Sequence, residues 1–178
     1  MDFNFRKGDL RDADTLVHFL DDVKAAMAQQ DWFYLDPPEV VREMLSDGTM
    51  ELWLAMDGSR LAGIFDILHP GLDAYNYGYD LDFSEEDLLR VVHMDTAAVH
   101  PDYRGKGLQR RMVQMAEQYL AGQGSRILLT TVHPENRFSL NNMQKQGYAI
   151  QRRLDKYGSE RYMNVKTPCH KQGVFYWG

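Results

Sequence analysis

The sequence predicts a mixed α/β (α+β) fold: one mostly antiparallel sheet of about seven strands, a parallel βαβ unit at its centre, and helices on both faces. Three observations predict it. Short runs with strand patterning recur along the chain, separated by turn residues. Two stretches carry apolar residues at helical spacing, and others carry helix start and stop signals. Two apolar strands, 89–99 and 126–132, flank a helix, an arrangement that makes neighbouring strands parallel.

Each element has a local reason. "FNFR" (3–6) alternates and reads as a first strand. Asp12 or Asp14 can cap the next helix, whose face is Leu16, Phe19, Leu20, Val23 and Met27. "QQDWFYLDPPE" breaks that helix, and Pro37–Pro38 opens a second one over roughly 38–46. Strands 50–56 and 60–68 are joined by "DGS", a hairpin signal. Residues 69–88 are irregular and rich in tyrosine and acid. After strand 89–99, a helix covers about 109–121 and buries Met112, Met115, Ala116 and Tyr119. Strand 126–132 is nearly all apolar, as expected when both faces are covered. A helix at 136–146 stops at Gly147, and strands near 148–154 and 160–166 complete the sheet. The expected organisation is one domain over 1–166 with a tail, 167–178.

Composition narrows the function classes. The 178 residues suit one ordinary core. A net charge of −6 argues against nucleic acid or anionic membrane as partners. The single cysteine, Cys169, fits a reducing compartment. With no apolar leader at the start, the expectation is a cytoplasmic protein. The six histidines show no metal-ligand spacing, so no metal is expected. Homodimerisation through the apolar tail "VFYW", or its return onto the chain's own sheet, are both open.

Against that acidic balance, "HPDYRGKGLQRR" (100–111) is basic and glycine-punctuated. Gly105 and Gly107 permit positive φ and close backbone approach. Successive N–H groups in such a turn converge on an anion, and the following helix adds its unpaired N–H groups. Arg104, Lys106, Arg110 and Arg111 add charge, so the turn reads as a phosphate cradle. It is neither a P-loop nor a dinucleotide fingerprint, which would need glycine where Arg110 stands.

Arg104-Gly105-Lys106-Gly107-Leu108-Gln109 resembles the acetyl-CoA motif of the GNAT family of N-acetyltransferases, Arg/Gln-x-x-Gly-x-Gly/Ala. "ENRFSLNNMQKQGY" is similar to a second segment of that family, with Asn136, Ser139, Lys145, Gly147 and Tyr148 in register. The element order is also that of the GNAT fold. The resemblance implies acetyl-CoA as co-substrate, its pyrophosphate on the N–H groups of 104–109 and Arg110. It implies a pantetheine arm along Ala97, Ala98 and Val99, with Asn136, Ser139 and Met143 opposite. It also implies direct attack by a primary amine, small and cationic or peptidyl, in a ternary complex.

Two positions depart from the pattern. Gln109 replaces Gly or Ala, so its side chain must point away from the phosphates or donate to one. Met143 stands where many members carry a tyrosine acid, and a thioether donates no proton. Tyr148 and Tyr157 are the available stand-ins, although packing is the plainer role for both. For the base, the two-residue period places His93, Asp95 and Ala97 on one face, which makes His93 with Asp95 the best pair. The same two residues also suit a buried hydrogen-bonded pair. Trp32, Phe33, Tyr34 and Tyr77, with nearby carboxylates, are candidates for holding a cationic amine. A non-catalytic acyl-CoA sensor, or transfer of a larger acyl group, are the alternatives.

Overall fold

A computed structural model describes residues 2–124 and 126–167. The expected tail, including Cys169 and "VFYW", lies outside the described residues apart from Thr167. The chain runs β1 (Asn4–Lys7), α1 (Ala13–Ala25), α2 (Pro38–Asp47), β2 (Met50–Asp57), β3 (Arg60–Leu68), α3 (Glu85–Leu88), β4 (Val91–Val99), α4 (Leu108–Ala121), β5 (Ile127–Val132), α5 (Arg137–Lys145), β6 (Ala149–Lys156) and β7 (Ser159–Lys166). Its seven strands form one sheet in the order β1-β2-β3-β4-β5-β7-β6, in which only β4 and β5 are parallel. The expected mixed sheet with a central βαβ unit is therefore present.

Local differences from expectation have physical causes. Asp12 and Asp14 do not cap α1 through their side chains. Asp9 caps a preceding 3-10 turn, Leu10–Asp12, by accepting from Arg11 N–H, while Asp12 pairs with Arg6 at 2.6 Å. On α4 the buried face is Leu108, Met112, Val113, Ala116 and Leu120. Tyr119 sits at its margin, because its hydroxyl donates to Glu51 at 2.6 Å. The segment 69–88 is more ordered than its composition suggests. Asn76, buried, donates to Gly71 O at 2.7 Å and Leu88 O at 3.1 Å and accepts from Gly78 N–H at 2.8 Å. That one side chain ties down the 3-10 turn Tyr77–Leu81, which follows it.

Helices cover both faces. α1 and α2 bury Leu16, Phe19, Leu20, Val23 and Val41 against Leu52, Leu54 and Ile64. α4 and α5 bury Leu108, Met112, Leu140 and Met143 against Phe65, Ile67, Val92 and Met94 on the other side.

Two irregularities in β4 set up the site. The parallel ladder has only three rungs, Val91↔Ile127, Val92↔Leu128 and His93↔Leu129. Beyond them, the edges of β4 and β5 part. Immediately after, the β3–β4 register shifts. Ile67 pairs with Met94 and Phe65 with Ala97, so Asp95 and Thr96 together oppose the single residue Asp66. This is a β-bulge, which resets the alternation of faces. Val92, Met94, Ala97 and Val99 consequently all pack on the α4–α5 side, whereas Ala98 packs with α1 and α2.

Leu129 is fully buried at the last parallel rung. Leu129→Ala should cost roughly 2–5 kcal/mol, read as a lowered denaturant midpoint in equilibrium unfolding.

Candidate active site

Where β4 and β5 part, a cleft of about 500 Å³ opens. Its walls include Met94, Ala97, Ala98 and Val99 from β4, Thr130–Val132 from β5, and Asn136, Ser139 and Met143 around the start of α5. The glycine turn closes one end. Gly105 and Gly107 have φ of 75° and 72°, left-handed values, and a Cβ at either would meet nothing within 4 Å. Backbone conformation, not crowding, is what calls for glycine there. The first hydrogen bond of α4 runs from Arg111 N–H to Gly107 O at 3.1 Å. The N–H groups of Leu108, Gln109 and Arg110 precede it and are free for an anion at the positive end of the helix. Arg104, Lys106 and Arg110 are exposed around the turn. Lys106 donates to Asp102 O at 2.9 Å, which holds its stem along the loop.

Gln109 points away from the turn and into the cleft. Its Nε2 donates to Ala97 O at 3.4 Å, and its Oε1 accepts from Asn142 Nδ2 at 3.2 Å. The side chain thus bridges β4 and α5. Asn136 caps α5 by accepting from Ser139 N–H at 3.1 Å. The cofactor-binding residues expected from sequence therefore gather around one cleft, except Lys106, which is exposed on the turn outside its lining.

The catalytic candidates divide. Asp95 reaches the cleft, but His93 does not. The bulge places Asp95 and Ala97 out of the simple alternation, and Ala97 faces the side opposite Ala98. His93 is fully buried, its ring stacked on Tyr77 with centroids 3.7 Å apart, and its Nε2 accepts from Tyr77 N–H at 3.1 Å. Burial, then nearby Lys156, push its pKa down to about 3, so it is neutral near pH 7. That is the buried, hydrogen-bonded role the sequence also allowed. Tyr148 is likewise absent from the cleft wall. Its hydroxyl is buried, and burial followed by the Glu117 carboxylate pushes the phenol well up. Tyr148 packs in the same core cluster as Met143, and its N–H donates to Met143 O at 3.2 Å.

A second cavity, about 90 Å³, adjoins the first on the α1–α2 side. Trp32, Phe33, Tyr34 and Tyr77 all line it, so the four aromatic candidates are brought together. So do three carboxylates, Asp36, Asp66 and Asp95. Among the described residues, Asp95 is the one titratable side chain common to both cavities. Burial, followed by the charge of Asp36, raises its carboxyl to about 6. Asp66 is raised well above the ordinary carboxylate range by burial and then by Asp95, while it accepts from Thr96 N–H at 3.1 Å. Asp36 is raised by burial. Tyr77 hydroxyl donates to Asp95 Oδ1 at 3.3 Å and is hydrogen-bonded to the hydroxyl of Tyr157. Tyr157 stacks on Tyr34 at 4.3 Å and sits in the β6–β7 turn at φ 59°, a left-handed value uncommon for a tyrosine.

Sequence reasoning missed Asp36, Asp66, Thr131 and Arg161, which also line the acidic cavity. Asp66 had a signal: it is the one charge within the apolar run "LAGIFDIL". Arg161 had none, since its burial depends on long-range packing.

The sheet is thus split at its parallel pair, with the glycine turn at the mouth of the cleft and the half-buried Asp95 at its inner end. A sequence profile of the Acetyltransferase (GNAT) family matches residues 23–148, and the chain belongs to that family. Solved structures agree on the fold. A GNAT-family acetyltransferase from Streptococcus pneumoniae is 19% identical, with 93% of this chain and 99% of that one covered at a TM-score of 0.69. Arabidopsis thaliana NAA60 in complex with acetyl-CoA is 16% identical, with 93% and 98% covered at 0.73. The putative acetyltransferase yncA of Salmonella typhimurium, with its cofactor acetyl-CoA, is 12% identical, with 98% and 99% covered at 0.69. None of the curated proteins compared matches the sequence significantly. No helix among the described residues is long and apolar enough to cross a membrane. Among the same residues, no group of three or more His, Cys, Asp or Glu is placed to hold a metal ion.

Asp66→Asn keeps the oxygen that accepts from Thr96 and removes a buried acid whose folded pKa is raised. Such an acid stabilises the fold only at pH below its folded pKa and loses that contribution as pH rises through it. The substitution should therefore raise Tm at pH 8 by at least about 2 °C. Thermal unfolding should show the gain shrinking as pH is lowered toward 4.

Proposed function

We propose that the chain is an acetyl-CoA-dependent N-acetyltransferase acting on a primary amine that carries positive charge, either small or at the end of a peptide. The observation that carries this reading is Asp95, standing between a cleft with an anion cradle and a cavity walled by carboxylates and aromatic rings.

The residues present fit acetyl-CoA. Gly105–Arg110 would hold the pyrophosphate through backbone N–H groups, with Arg104, Lys106 and Arg110 adding charge. Ala97, Ala98 and Val99 offer a β4 edge that has left β5, and Asn136, Ser139 and Met143 line the facing wall. When bound, acetyl-CoA supplies the thioester acyl group and carries away the thiolate. Asp95 accepts a proton from the ammonium, and its raised pKa brings it nearer to that task at neutral pH than an ordinary carboxylate. Tyr77 holds Asp95 Oδ1, and Trp32 and Phe33 line both cavities, where they exclude water from the junction. Gln109 occupies one of the two lone pairs of Ala97 O, so a second donor can share that carbonyl.

A second reading, a non-catalytic acyl-CoA sensor, draws on Met143. It lines the cleft at the position where a proton donor is expected, and Tyr148 does not replace it. Thiolate is a weak enough base to leave unassisted near neutral pH. Steady-state release of CoA thiol with any amine would exclude the sensor.

Asp95→Asn should lower kcat/KM by 100-fold or more. In the unsubstituted chain kcat/KM should fall as pH drops through about 6, as Asp95 is protonated, and the variant should lack that limb. A pH profile with no group titrating near 6 would remove Asp95 as the base. Gly107→Ala should raise KM for acetyl-CoA by about tenfold or more with kcat little changed, because an L side chain disfavours φ 72°. Initial-rate kinetics at varied acetyl-CoA would read it.

A further inference from the structure

The acidic cavity contains one cation whose bonding is incomplete. Arg161 on β7 is 3% exposed and lines the cavity with Asp36, Asp66 and Asp95. Its Nη2 donates to Asp31 O at 2.7 Å, which anchors one side of the guanidinium. Its Nη1 is buried and has no hydrogen-bond partner among the described residues. Burial lowers its pKa, as expected for a cation short of acceptors, yet a guanidinium keeps its charge in proteins. A guanidinium carries donors and no acceptor, so what completes it must be an oxygen, preferably an anionic or carbonyl oxygen. The three carboxylates make the opposite demand on the same space and favour an ammonium.

We infer that this cavity takes an α-aminoacyl group, with its ammonium toward Asp95 and Asp36 and its adjacent carbonyl or carboxylate oxygen on Arg161 Nη1. The inference rests on the proposal that the cavity is the acceptor site. A polyamine satisfies the carboxylates but brings a further cation to a buried guanidinium and leaves Nη1 bare. A simple amine does the first and omits the second. An α-aminoacyl head satisfies both signs, and a cavity of about 90 Å³ admits a short head group of this kind. A free amino acid and a peptide N-terminus present the same ammonium and neighbouring oxygen. The rings of Tyr34 and Tyr157, stacked at 4.3 Å, form another part of the wall around the head group.

The test compares compounds that differ in that oxygen. The full chain, saturated with CoA, is titrated by calorimetry with lysine, a peptide with N-terminal lysine, and 1,5-diaminopentane. Alanine, an N-terminal alanyl peptide and ethylamine form a second set. Thiol release from acetyl-CoA is followed separately for each compound. In at least one set, the free amino acid or the peptide should bind roughly ten- to a hundred-fold more tightly than the amine lacking the carbonyl, and whichever is tighter identifies the source. Arg161→Gln should erase that ratio, and Arg161→Lys should keep part of it. Equal or tighter binding of 1,5-diaminopentane and ethylamine by the unsubstituted chain, or no binding by any compound, overturns the inference, whatever the variants do. An aminoacyl preference in binding without thiol release upholds the inference and removes the catalytic proposal. Thiol release with no such preference does the reverse.

Discussion

One hydrogen bond at the centre of the sheet organises the rest: Asp66 accepting from Thr96 N–H inside the β3–β4 bulge. A bulge leaves a backbone group without its ladder partner, and a buried N–H cannot be left unpaired cheaply. Here a side-chain carboxylate from the opposing strand takes the place of the missing carbonyl. The bulge follows directly on the last rung between β4 and β5, so the strand changes its facing residues at the point where it leaves its parallel neighbour. Opening of the cleft and turning of Asp95 toward the second cavity are thus consequences of one local irregularity. Asp95 in turn sits beside the carboxylate that repairs the backbone and, after burial, raises that carboxylate's affinity for a proton.

Charge is partitioned along the path between the two cavities. Arg104, Lys106 and Arg110 stand at the outer mouth, while Asp36, Asp66 and Asp95 lie inside. A net charge of −6 conceals this division. The outer cations remain exposed, so their attraction is long in reach but weakened by salt. The inner carboxylates share their cavity with one cation, Arg161, and three acids to one base leave repulsion that protons or a further cation relieve.

Much of this was legible in the sequence, and the reasons differ by residue. The strand and helix order followed from periodicity and from glycine and proline punctuation, because those signals are local. The glycine turn was legible because positive φ at Gly105 and Gly107 is a demand that a sequence must answer with residue type. The face of β4 was not. Counting by twos from Val99 crosses the bulge, and nothing local in "HMDTAAV" marks the extra residue. The count therefore puts His93 on the face of Ala97, whereas the Tyr77 ring walls it in. Gln109 departs visibly from the motif, but its bond to Ala97 O depends on the spatial approach of α4 to β4. Arg161 and Asp36 converge from distant parts of the chain, and no spacing announces such a meeting.

The β6–β7 turn carries a compromise that a protein engineer would meet at once. Tyr157 and Gly158 both have positive φ, the pattern of tight two-residue hairpins, for which asparagine before glycine is the comfortable choice. The chain places tyrosine there instead, and its ring lies on Tyr34 while its hydroxyl meets Tyr77. A consensus-minded redesign that relaxed the hairpin with asparagine would gain a better turn and dismantle a wall of the inner cavity. Local comfort of the backbone has been traded for enclosure. A scan for stabilising substitutions would rank as an improvement the one change in this hairpin that opens the pocket.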